Sequence, residues 1–139
     1  MRSPESVGAV DNAYEDERVV YFRGLADASY ADRAQRYRRH VVFAKAQQYF
    51  VLVDEFVAKA GVASALQWNI HAWAPFETDQ RRTFWTQRGD SVLCGHFMYS
   101  RNGFFSLSEG WDPPPMGGKD SSQWKPQYHL RFKIGRAHV

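Results

Sequence analysis

Several short runs along this chain, broken by Gly, Pro, Asn and charged residues, set apolar and polar side chains at every second position. That is the period of a pleated strand, not of a helix. Two runs rich in Val, Phe and Tyr, Arg39 to Ala44 and Tyr49 to Val57, flank the polar stretch Lys45-Ala46-Gln47-Gln48. β-Branched and aromatic runs joined by a few polar residues predict an antiparallel hairpin. In the first run Arg39, Val41 and Phe43 alternate with Arg38, His40 and Val42. Tyr49 to Val53 is apolar at every position, which predicts a strand buried on both sides. A third strand, Leu66 to Trp73, follows Ala60-Gly61. It places Leu66, Trp68 and Ile70 on one face and Gln67, Asn69, His71 and Trp73 on the other.

The remaining segments continue the pattern. Residues 1–17 read as a loop or frayed end, and Arg18 to Arg23 as a short strand. Gly24 to Ala34 predicts a turn with a short helical piece around Asp27-Ala28-Ser29-Tyr30. Thr83 to Gln87 and Val92 to Tyr99 predict a second hairpin around Arg88-Gly89-Asp90-Ser91. Phe104 to Ser108 and Gln127 to Phe132 are further strands, separated by the Pro-, Gly- and Ser-rich loop of residues 110–125. Short strands at close spacing predict an all-β chain, an antiparallel β-sandwich over residues 18–133, read here as an incomplete one.

Composition narrows the class. The 139 residues are 44% hydrophobic and 24% charged, the balance of a globular chain with room for one modest core. Aromatics reach 16%, with five Trp, seven Tyr and ten Phe. In a β chain such rings either fill the space between sheets or lie flat against sugar rings. The charge is +3, concentrated at Arg33, Arg36, Arg38 and Arg39 and again at Arg81, Arg82 and Arg88. Arginine clusters pair with carboxylates and sulfates, as on an acidic polysaccharide, or simply keep a strand edge solvated. No recognition helix, finger spacing or RNP-like motif points to nucleic acid. No stretch is apolar and long enough to span a membrane, and residues 1–17 carry no signal-peptide core. Cys94, the single cysteine, sits in the apolar run SVLCGHFM and reads as a small buried hydrophobe.

The succession RYRRHVVF, YFVLVDEFVAK and LQWNIHA, with GWDPPP and QWKPQYHL later, resembles the β-sandwich that follows the helical toroid in heparinase II/III-like polysaccharide lyases. The resemblance covers roughly Val19 to Phe132. It implies a periplasmic or secreted parent that cleaves an acidic glycan, a glycosaminoglycan or alginate, by β-elimination. It also implies a toroid domain elsewhere in the parent that carries the catalytic tyrosine and histidine; no catalytic residue is assignable here. Enzymes of this group hold a structural divalent metal with His, Asp and His from successive strands, which here matches His40, Asp54 and His71. Zinc is the first expectation for two imidazoles and a carboxylate.

For substrate binding the candidates are Asn69 and Trp73, an amide beside a stacking ring, together with Arg39. Trp111, Trp124 and Tyr128 make a second candidate stacking set. The bland alternative for each is a structural partner across the sheet. A non-catalytic carbohydrate-binding or structural sandwich is the competing function. The terminal run Ile134 to Val139, IGRAHV, resembles a sequencing adaptor translated in frame, so His138 is given no role and residues 134–139 are set apart from the domain.

Overall fold

The structure, a computed structural model, describes residues 8–62, 65–98, 103–111 and 125–134. Ten strands account for most of them: β1 Ala9–Glu15, β2 Val19–Leu25, β3 Ala34–Ala44, β4 Tyr49–Ala58, β5 Leu66–Ala72, β6 Phe76–Thr78, β7 Thr83–Arg88, β8 Ser91–His96, β9 Gly103–Gly110 and β10 Gln127–Ile134. One 3-10 turn, Ala28–Tyr30, sits between β2 and β3. All pairings are antiparallel, in three sheets, so the chain is all-β as its periodicity predicts. Strand β1 corrects the reading of residues 1–17 as a loop or frayed end, and β6 adds a strand too short to show a period. Tyr99, the Pro-rich residues 112–124 with Trp124, and residues 135–139 of the tail lie outside the described residues.

The strands belong to two compact units, β1 to β4 in one and β5 to β10 in the other. The segment read as one domain is shared between them. In the first unit the sheet order is β1-β2-β3-β4. The β3–β4 hairpin turns through Lys45 to Gln48 as expected, with Gln48 at φ 52°. Strand β4 is not buried on both sides. It lies at the end of its sheet, and Phe50 is 61% and Val53 53% exposed. An apolar run reports what a strand is able to bury, not whether a neighbour is there to cover it.

The second unit pairs β5-β10-β9 in one sheet and β6-β7-β8 in another. One face of the first sheet carries Trp68, Ile70 and Ala72 of β5, Tyr128, Leu130 and Phe132 of β10, and Phe105 of β9. These pack against Phe76, Phe84 and Phe97, making a small sandwich core. Leu130 and Phe132 are fully enclosed, and Phe132 stacks on Phe97 with ring centroids 3.9 Å apart and planes at 12°. Burying such rings drives this unit's folding, at about 1.5–3 kcal/mol per large side chain. The β7–β8 turn uses Gly89 at φ +59°, as its glycine predicts. Cys94 is exposed, because its strand β8 is an edge whose alternate positions face outward.

Candidate functional site

The other face of β5-β10-β9 is polar. Period-two alternation sends Gln67, Asn69 and His71 of β5 outward while Trp68 and Ile70 turn in, as the sequence predicts. Register then brings His129 opposite His71, Arg131 opposite Asn69 and Lys133 opposite Gln67. On the far side Ser108 faces His129, Ser106 faces Arg131 and Phe104 faces Lys133. Among these described positions there are two permanent cations and no carboxylate. Trp73, just past the end of β5, is 52% exposed.

Local bonds hold the face in shape. Gln67 Nε2 donates to Asn69 Oδ1 at 2.6 Å, and Arg131 Nη1 donates to Ser108 Oγ at 2.8 Å. Lys133 Nζ lies 5.8 Å from the Phe104 ring centroid, a cation–π distance. His129 is buried and its Nε2 donates to the Gly110 carbonyl at 2.6 Å. That bond fixes the tautomer and presents the ring edge-on to His71, at 4.3 Å between centroids. Strand spacing makes the face about 10 Å wide and about 20 Å long, flat and ridged by polar side chains.

Arg39 and Asp54 lie in the first unit. They are register partners on β3 and β4, joined by Nε to Oδ1 at 2.6 Å and Nη2 to Oδ2 at 2.7 Å. This bidentate bond holds the Arg39 guanidinium pKa above its ordinary value. His40 follows Arg39 directly, so its side chain leaves the opposite face of the sheet. There Tyr21 Oη lies 3.0 Å from His40 Nδ1, and Glu55 Oε2 lies 4.0 Å from Nε2. His40 and Asp54 therefore leave opposite faces of the sheet, and His71 belongs to the other unit. Among the described residues no group of three or more His, Cys, Asp or Glu is placed to hold a metal.

The arginine cluster is largely matched by carboxylates. Arg36 meets Glu55 at 2.7 Å, which holds the Glu55 carboxyl below its ordinary value. Arg38 Nε stands 3.7 Å from Asp27 Oδ2, and Arg33 Nε 3.6 Å from Asp32 Oδ2. The Tyr37 phenol is pushed up by burial. Tyr128 packs against the core. The sequence reading missed His129, Arg131 and Lys133, whose alternation within QYHLRFKI was visible but whose β5 partners were not.

No family model matches this chain, and no curated protein matches it either.

Proposed function

We propose that this chain is a non-catalytic β-sandwich that binds an acidic polysaccharide, and that it serves as the sandwich portion of a heparinase II/III-like lyase whose chemistry resides in a toroid domain of the same parent. The observation that carries the binding half is the polar face of β5-β10-β9, with Arg131 and Lys133 on it, Trp73 at its end, and no carboxylate among its described positions. A ridge of amides, the exposed His71 imidazole and two cations suits an extended chain of sugar acids, which pair with the cations while a ring lies on the indole. The lyase half is supported by the strand sequences that resemble that family and by the all-antiparallel fold. Export to the periplasm or beyond follows from the same resemblance.

The test is affinity electrophoresis of the purified chain through gels containing heparin, alginate or neutral dextran. Retardation by at least one acidic glycan and none by dextran is expected, weakened about tenfold by Trp73→Ala and by Lys133→Gln. Cleavage of these glycans by the isolated chain is not expected. Equal mobility in every gel overturns the binding reading. Retention of binding by both variants removes it from this face.

A further inference from the structure

We infer that the first unit carries a separate site for a single neutral pyranose ring, in a cleft between the 3-10 turn and the β2–β3 ladder. The cleft measures about 380 Å³ and is lined by Gly24, Ala26, Ser29, Tyr30, Tyr37 and Arg39 among others. That is the low end of small-molecule pockets, room for one ring and not for an oligomer.

Its walls are fixed by the backbone. Ala26 N–H donates to the Tyr37 carbonyl at 2.9 Å, and Tyr37 N–H donates to Asp27 Oδ1 at 2.6 Å. These two bonds tie the turn to β3 and hold Tyr30 beside Tyr37, with ring centroids 5.1 Å apart at 70°. Tyr37 rests in turn on Phe56 of β4, edge to face at 5.8 Å. The floor is open because residue 24 is glycine. A Cβ there would meet only the Arg39 carbonyl oxygen, at 4.0 Å. Gly24 and Arg39 are register partners, so both stand on the face that the cleft occupies.

Charge selects the ligand. Asp54 takes two of the five guanidinium donors of Arg39, and Arg38, the other cation lining the cleft, has Asp27 Oδ2 3.7 Å from its Nε, so each cation stands beside a carboxylate and an anion gains little here. The three donors that Asp54 does not take, with the Ser29 hydroxyl, match the hydroxyls of a sugar. The apolar C–H face of a pyranose then has the exposed Tyr30 ring to lie on. This site uses none of the residues of the β5-β10-β9 face, so it stands or falls separately from the acidic-glycan reading.

The experiment is a titration of the full chain with the methyl glycosides of glucose, galactose and mannose, and with glucuronate, followed by amide chemical shifts. One ring in an open cleft binds with Kd on the order of millimolar, so titration to about 50 mM suffices. Saturable shifts confined to residues 24–30 and 37–39 are expected with at least one neutral glycoside. Gly24→Val fills the floor with a residue that strands favour, and is expected to abolish them. Tyr30→Ala, on the exposed turn, is expected to weaken binding about tenfold through loss of the stacking ring, and it serves if the valine variant misfolds. Absence of saturable shifts with all three glycosides overturns the proposal, as does unchanged binding by the filled or the Tyr30→Ala variant. Glucuronate binding tenfold tighter than every neutral sugar overturns the charge argument and with it the neutral assignment.

Discussion

Arg39 and Asp54 clasp one another across β3 and β4 through two hydrogen bonds of 2.6 and 2.7 Å, on the face of the sheet that His40 does not share. One residue of register decides this. A carboxylate that pairing places opposite Arg39 is spent on a guanidinium, and the imidazole one position along answers to Tyr21 and Glu55 instead. Asp54 is the more enclosed partner, with 15% of its side chain exposed against 40% for Arg39. Asp54→Ala leaves a half-buried guanidinium without its acceptor. A loss of about 1–2 kcal/mol is expected after screening by solvent at Arg39, read as a lower urea midpoint with unchanged slope. Arg39→Lys should lose a smaller part of it, because an ammonium cannot offer the two-pronged match. A midpoint unmoved by Asp54→Ala would show the pair to be ornamental.

Gly95 and Phe84 are register partners on β8 and β7, and the Phe84 ring occupies the space a side chain at residue 95 would need. A Cβ there would collide with Phe84 Cζ, and the ring is held by Phe76, Phe97 and Phe105. Gly95→Ala therefore forces an over-packed core and is expected to cost about 2–3 kcal/mol. Pairing it with Phe84→Leu, which vacates the ring's far end, should return part of that loss. Thermal melts of the two single variants and the double variant check it. Strict additivity of the two changes would mean that ring and glycine do not sense one another.

Elements were readable from the sequence where alternation is strict, and contacts were not. LQWNIHA declares its two faces by itself, and the polar face is where the alternation placed it. What β5 cannot declare is its partner, since β10 begins 55 positions after β5 ends and the two meet only through long-range pairing. The metal reading rests on strand order alone. His40, Asp54 and His71 follow one another in strand order, but order along the chain does not fix the face, and the β3–β4 register sends the first two apart. Burial failed for β4 and for Cys94 because both lie in edge strands, a property of the sheet and not of the run.

Acid stability should follow a small set of carboxylates. Asp79 accepts backbone N–H bonds from Arg81, Arg82 and Thr83 at 2.8 to 2.9 Å, which hold its carboxyl far below the ordinary 3.8. Asp16 is held down likewise by the N–H groups of Val19 and Arg18 and by the Tyr14 hydroxyl, and Asp11 by Arg23. A carboxyl whose folded pKa is depressed contributes stability that is full above its unfolded value and lost as pH falls towards the folded one. Stability should therefore be level down to about pH 4 and decline steadily below it. Asp79→Asn should make the decline shallower without moving its onset. Urea midpoints measured from pH 7 to pH 2 give the curve, and an Asp79→Asn curve parallel to the parent would discount the turn.

Strand β4 makes the last expectation one of association. It is ten residues long, closes one end of its sheet among the described residues, and presents Phe50, Leu52, Val53 and Val57 with much of their surface in water. A long apolar edge offers its unpaired N–H and C=O groups to any second strand, and most natural edges carry a charge to prevent this. The β3 side of the hairpin is charged at Arg36, Arg38 and Arg39, but from Tyr49 to Val53 β4 has no such guard. The isolated chain is therefore expected to self-associate at micromolar to millimolar concentration. Val53→Lys should suppress this, since position 53 is exposed and a charge there guards the edge. Light scattering against concentration for parent and variant decides the matter. A parent that stays monomeric throughout would mean that the apolar side chains of β4 shield its edge without help.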